Sequence, residues 1–339
     1  MILAPDNGES LDDFGQCLAA LMSEPIVLGT RTVSISGSVG IASTRTDGTS
    51  DLMQEADFAV YEAKRRTTAP WAVADPALVE RGRRALDLEQ RLHAGIADRA
   101  FKPWFQPIVK VATGEPIAYE TLMRWPDSSG GPLHAGEFID IANVTGLIAA
   151  MGRQIVPETL EFIANTDGMP VSVNLSPAEL ADESWLRDFV DQVHLSGIDH
   201  SQIYFEVTES SVIADLAAAC ERLDYLRNLG FGITLDDFGA GYSSLTYLTA
   251  LPVQTVKLDQ ALLGSSRCGE RSDEIFEAVV RFVRDLDYGM VVEGVETQED
   301  HDYLLSLGVD YAQGWFYGRA QPAEIVLAQR SESLPVTGS

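Results

Sequence analysis

The stretch FGITLDDFG, residues 231–239, runs through apolar and small residues to Leu235, then sets two adjacent carboxylates, Asp236 and Asp237, ahead of Phe238 and Gly239. An apolar run of that length suits a strand covered on both faces, with the acidic pair at its C-terminal end. Working outward, the same design recurs. IYFEVTE (203–209) and PVSVNLS (170–176) precede it, and VQTVKLD (253–259), GMVVEGVE (289–296) and VDYAQGWF (309–316) follow it. WFQPIVK (104–110) and IAYETLMRW (117–125) lie farther upstream, making eight runs. Between most of them lie stretches with helical spacing, such as 181–195, 212–229, 273–287 and 298–307. Leu216, Ala219, Leu223, Leu226 and Leu229 mark one apolar face, and Gly230 follows as a stop. Strands alternating with helices imply a parallel sheet, and eight within ~240 residues imply a closed α/β barrel of the (β/α)8, TIM-like kind. Only VATGEP (111–116) separates the first two runs, too little for a parallel crossover, so the first strand should be antiparallel.

The 339 residues exceed one ordinary domain. Residues 101–328 are read as the barrel and 71–100 as a connecting helix. That helix should be capped by Asp75 and Pro76, end near residue 97, and pack through Leu78, Leu88, Leu92 and Ile96. Residues 1–70 form a small α/β segment, with helices over 11–21 and 51–66 and a strand pair around 33–42; residues 329–339 read as a flexible tail.

Hydrophobic residues at 45% and charged residues at 22% are globular proportions, and the net charge is −27. So acidic a surface repels nucleic-acid backbones and anionic lipid, so neither is expected as a partner. A small phosphate ligand is still admissible where cations meet it. Three widely spaced cysteines give no disulfide framework or CxxC knuckle, and five histidines form no HxxxH or HExxH pair. No run nears the ~18 apolar residues of a membrane span, so a cytoplasmic location is expected, with any tether in segments outside these residues.

The chemistry gathers where the runs end. Glu120, Asn174, Glu206, Asp236 with Asp237, Lys257, Glu293 and Gln313 sit in or just after seven different apolar runs. In a parallel barrel those ends meet at one mouth, where catalytic groups belong. Five carboxylates around one lysine could not all stay ionised without cations. An all-oxygen donor set suits Mg²⁺ or Mn²⁺, and Asp236–Asp237 could bridge two ions ~3.5–4 Å apart, as in two-metal phosphoester hydrolysis. Lys257 beside Glu293 would then orient or deprotonate the attacking water, and Arg124 would grip a phosphate. Taken singly, each of these residues reads best as a solvated charge or a turn cap; the coincidence on seven strands carries the inference.

These residues carry a resemblance. FQPIV (105–109), ETLMRW (120–125), SVNLS (172–176), FEVTES (205–210), DDFGAGYSSLTYL (236–248), VKLD (256–259), VEGVET (292–297) and YAQGWFYG (311–318) resemble the EAL domain of cyclic di-GMP phosphodiesterases over residues 101–325. The resemblance implies hydrolysis of cyclic di-GMP to linear pGpG using two ions. Glu120, Asn174, Glu206 and Asp236 correspond to ligands of the first ion and Asp236 with Asp237 to the second-ion pair, which Glu293 and Gln313 reach directly or through water. Lys257 corresponds to the lysine at the catalytic water. Gln106, Leu122, Arg124 and Asp259 match substrate-contact positions, and Glu209 matches the glutamate that anchors the loop FGAGYSS (238–244). That loop couples the site to a homodimer interface in the family. The signature reads ETL, with Thr121 for Ala; Thr121 should point away from the barrel axis and affect packing alone. Ala320 and Val292 are the other departures. SGSVGIAS (36–43) and ADFAVYEAKR (56–65) resemble the last third of a GGDEF (diguanylate cyclase) domain whose signature motif is missing here, and truncation is the favoured explanation over decay.

Two rival readings differ in class. A catalytically silent cyclic di-GMP receptor is the runner-up, though such relatives usually lose metal ligands. A barrel glycosidase needs two carboxylates flanking a sugar and leaves Asn174, Lys257 and the Asp pair without a role.

Overall fold

A computed structural model describes residues 10–28, 31–33, 37–43, 51–65, 69–127, 131–213, 215–240, 248, 250–266 and 270–333. The chain divides into two compact units, Met1–Arg91 and Leu92–Ser339.

In the first unit, helix Leu11–Met22 begins at Ser10, whose hydroxyl accepts the Asp12 N–H. Strands Ile26–Leu28 and Arg31–Val33 pair antiparallel, while Val39–Ile41 pairs parallel with Trp71–Val73. The strand pair expected around 33–42 is therefore divided between two partners, and residues 34–36 lie outside the described residues. A parallel pair needs a crossover, and helix Leu52–Arg65 supplies it. That helix buries Ala59 and Ala63 with Ala72 and Leu78, and Gly40 lets its backbone approach, because a Cβ there would strike the Ala56 carbonyl. Helix Pro76–Ala97 starts as expected: Asp75 Oδ1 accepts the Leu78 N–H at 2.7 Å. The boundary between the units falls inside this helix, between Arg91 and Leu92.

The second unit is a closed eight-stranded barrel. Its strands are β1 (Lys102–Lys110), β2 (Pro116–Asp127), β3 (Val171–Asn174), β4 (Ile203–Thr208), β5 (Gly232–Phe238), β6 (Thr255–Leu258), β7 (Gly289–Val292) and β8 (Tyr311–Gln313). Strand β1 pairs antiparallel with both β2 and β8, which closes the cylinder, and the remaining neighbours are parallel. The β1–β2 hairpin turns at Gly114, whose φ of +70° suits glycine and whose N–H reaches the Lys110 carbonyl at 2.8 Å. Outward residues such as Phe105, Val173, Phe205, Leu235, Val256 and Ala312 are sealed under the helices. The Phe105 and Phe162 rings stack with centroids 3.6 Å apart. Helix Ile148–Ala164 contains Pro157, which removes one ladder hydrogen bond; burial of Met151, Ile155, Leu160 and Ile163 outweighs that cost. Among the described residues no helix is long and apolar enough to cross a membrane.

The period-two alternation fixes what points inward. Gln106 lies opposite Glu120, Glu120 opposite Ser172, and Asn174 opposite Glu206, so these residues share the interior. Thr121 faces out, as expected. It is 3% exposed, and its Oγ1 has no hydrogen-bond partner among the described residues. Lower in the barrel, Ala118, Ser172, Thr234, Thr255 and Gly289 are small enough to leave a cavity of about 210 Å³ beside Lys257.

Just past β3, Ser176 and Glu179 form a capping box: Glu179 Oε2 accepts the Ser176 N–H at 2.9 Å and its hydroxyl at 2.6 Å. Burial pushes the Glu179 carboxyl up to about 7 against the opposing help of Ser176 and Arg153. The folded state therefore keeps a proton that the unfolded chain releases from about 4.5 upward. Stability should fall as pH rises through this window, by up to roughly 3 kcal/mol from this group. Glu179→Gln should flatten that slope in thermal melts between pH 4.5 and 7.5; an unchanged slope would contradict it.

Candidate active site

The mouth is built around a lysine taken almost wholly out of water. Lys257 on β6 is 1% exposed, and its Nζ lies 2.7 Å from Glu293 Oε1, 2.9 Å from Glu206 Oε2, 3.2 Å from Glu120 Oε2 and 3.4 Å from Asp236 Oδ1. A buried ammonium is costly unless paired. Burial alone would depress Lys257, but Glu120, Glu206, Glu293 and Asp236 together hold it well above its ordinary value. Glu120 is the best-satisfied carboxylate. Asn174 Nδ2 donates to its Oε1 at 2.9 Å, and Gln313 Nε2 donates to its Oε2 at 2.6 Å. Burial raises Glu120, yet Lys257 and these donors overcome it and leave it below the usual range.

The other acids are not satisfied. Burial drives Glu206 well up, reinforced by Glu120 and Asp236, and it also raises Asp236. Burial, then Asp236 and Asp259, lift Asp237 to about 6, and burial lifts Glu293 to about 8 despite Lys257. One ammonium cannot balance five carboxylates in this space, and further positive charge would reverse these shifts.

The donor set fits hard cations. Asp236, Asp237 and Glu293 each offer an oxygen within 4.8 Å of the others. Glu206 Oε1 and Gln313 Oε1 are buried without a hydrogen-bond partner among the described residues. Carboxylate and amide oxygens of this kind suit Mg²⁺ or Mn²⁺.

Simple alternation would send Asp236 and Asp237 to opposite faces of β5. The register with β6 shifts between Leu235 and Phe238, and Asp237 takes a φ of +57°, a bulge that brings its carboxylate back toward the mouth. Asp236 stays buried while Asp237 is exposed. A cavity of about 470 Å³ opens beside Glu120, Leu122, Asn174, Glu206 and Asp237.

Glu120, Asn174, Glu206, Asp236, Lys257, Glu293 and Gln313 thus converge. Level with Glu120, Gln106 donates from Nε2 to the Gly318 carbonyl at 3.1 Å; higher up, Arg124 lies buried on β2 with Leu122 one step below. Asp259 is half-buried and accepts the Ala261 N–H at 2.7 Å, so part of its carboxylate caps the following helix. Glu209 opens helix Glu209–Ile213, but residues 241–247 of the loop it was expected to anchor lie outside the described residues. Trp104, which drew no notice as a site residue, faces the same interior opposite Leu122, with Arg124 Cζ 5.7 Å from its ring centroid. Its parity with Gln106 on an antiparallel strand was the available signal.

Fold and mouth together define a class: a (β/α)8 barrel with one antiparallel strand and an acidic, all-oxygen rim. Residues 88–320 match the EAL domain model, and the chain belongs to that family. Over 318 residues it is 32% identical to the bifunctional diguanylate cyclase/cyclic di-GMP phosphodiesterase MucR of Pseudomonas aeruginosa, covering 92% of this chain and 46% of that protein. It is 28% identical over 331 residues to the cyclic di-GMP phosphodiesterase NbdA of the same organism, covering 94% and 42%. The chain therefore spans less than half the length of these relatives. Among solved structures, the PaMucR phosphodiesterase in complex with c-di-GMP superposes with a TM-score of 0.67 at 31% identity, covering 71% of this chain and 99% of that one.

Proposed function

We propose that the barrel hydrolyses cyclic di-GMP to linear pGpG with the help of two dications, Mg²⁺ or Mn²⁺. The observation that carries this is the buried Lys257 ringed by four carboxylates, next to the Asp236–Asp237–Glu293 cluster. Membership of the EAL family and the named activities of MucR and NbdA support the same substrate. Glu120, Asn174, Glu206 and Asp236 would hold one ion, and Asp236 with Asp237 the other, with Glu293 and Gln313 turned toward it. When bound, such ions lower the pKa of a water and offset phosphate charge. Lys257, as an ammonium 2.7 Å from Glu293, positions the attacking water, and the Glu293 carboxylate accepts its proton. The water oxygen bonds to phosphorus as the ester bond to the ribose 3′ oxygen breaks, and that oxygen leaves with a proton. Arg124, Gln106, Leu122 and Asp259 hold the dinucleotide so that attack and leaving group are in line.

Incubation with cyclic di-GMP and either metal, followed by chromatography, tests this: pGpG is the expected product. Tight binding of an intact ligand with no product would instead favour the silent receptor. The first unit we read as the C-terminal remnant of a GGDEF domain; the 318-residue match to MucR, itself named a diguanylate cyclase, is longer than the barrel unit and supports this. The homodimer that the resemblance implies belongs to the same reading, as does a connecting role for helix Pro76–Ala97, which is shorter than the expected 71–100 because Trp71–Val73 is a strand.

A further inference from the structure

We infer that Trp104 is a specificity-determining residue, whose indole stacks on one purine of the cyclic dinucleotide and braces the Arg124 guanidinium beside it. The inference rests on the phosphodiester-hydrolase reading above and adds a base-recognition element to it.

Strand direction places the residue. Because β1 runs antiparallel to β2, its N-terminal half rises toward the mouth while the parallel strands end there. Gln106 lies opposite Glu120, at the level of the acidic floor, and Trp104 lies opposite Leu122, two residues higher. Two strand residues span about 7 Å, the scale that separates the phosphate of a nucleotide from its base. Trp104 shares the inward face with Gln106 and is half-buried, so its ring is held in place yet accessible. On its other side, Pro322 pairs opposite it and stiffens the backbone.

The neighbouring cation strengthens the case. Arg124 is 7% exposed, and its Cζ sits 5.7 Å from the Trp104 ring centroid. Its Nη1 donates to the Met123 carbonyl at 2.9 Å, but Nε is buried and has no hydrogen-bond partner among the described residues. A buried guanidinium with a free donor awaits an anion, and an indole against it limits its rotation. An aromatic face beside a guanidinium is the pairing that recognises a base together with its phosphate. Trp315, just past β8, is 57% exposed and its ring carries Arg319, with Cζ 4.1 Å from the centroid.

The test is steady-state kinetics of Trp104→Ala, Trp104→Leu and Trp104→Phe, with cyclic di-GMP and with bis(p-nitrophenyl) phosphate, a diester without a purine. Loss of one stacked base predicts a KM for cyclic di-GMP raised about 10-fold in the Ala and Leu variants, with kcat changed far less. Phe should restore most of the affinity. The preference for cyclic di-GMP over the purine-free diester should fall by a similar factor. An unchanged KM in all three variants would overturn the inference. So would a loss of kcat common to both substrates that Phe does not rescue, since that is the mark of a packing role. A wild-type protein that makes no pGpG would sink the functional reading itself, a result separable from any of these.

Discussion

Lys257→Ala should lower turnover of cyclic di-GMP by roughly 10³-fold while substrate still binds. The reason is geometric. Among the described residues, Lys257 Nζ is the one ammonium within ion-pair distance of Glu120, Glu206, Asp236 and Glu293, and it stands 2.7 Å from the last of these. A water between this pair and the phosphate would be fixed by a full positive charge and faced by a carboxylate able to take its proton. Removing Nζ leaves that fixing charge without a replacement, because among the described residues no other lysine or arginine forms a salt bridge with any of these acids. The variant would also expose buried carboxylates to one another, so its melting temperature should drop without metal and recover largely when Mn²⁺ is added. Activity close to that of the unaltered protein, from a folded variant, would contradict the role.

The second large effect concerns Asp236, which alone is assigned to both ions. Asp236→Asn should abolish measurable hydrolysis, again by at least about 10³-fold, and remove most of the stabilisation that Mn²⁺ confers in a thermal melt. Its stability without metal should move the opposite way. Burial and the charge of Glu120 raise the Asp236 carboxyl, so the ionised form is disfavoured where it stands, and a neutral amide relieves that. A gain in metal-free melting temperature with loss of activity is the signature of a residue kept for chemistry at the expense of the fold. Equal stabilisation of variant and parent by Mn²⁺ would remove Asp236 from the metal site.

Most of the barrel was legible because buried parallel strands leave a plain mark: short apolar runs whose last residues turn polar. Glu206 in IYFEVTE and Lys257 in VQTVKLD can be found that way, and the short VATGEP link was enough to reverse β1. Three features were not legible, each for a physical reason. The bulge at Asp236–Asp237 breaks the period of two through a left-handed φ at Asp237, and no local residue pattern announces it. Trp104 reads as another apolar strand residue until the register sets it opposite Leu122 and beneath Arg124. In the first unit, strands of three residues carry too little alternation to choose a partner, so the Val39–Ile41 pairing with Trp71–Val73 depends on the intervening helix.

The most direct measurement is a dication titration of chelator-stripped protein in the presence of cyclic di-GMP, with the product followed by chromatography. The account predicts no conversion in chelator, and pGpG appearing as Mn²⁺ or Mg²⁺ fills two sites per chain. Hydrolysis that proceeds equally well in chelator, or a folded protein that yields no pGpG at saturating metal, would contradict it.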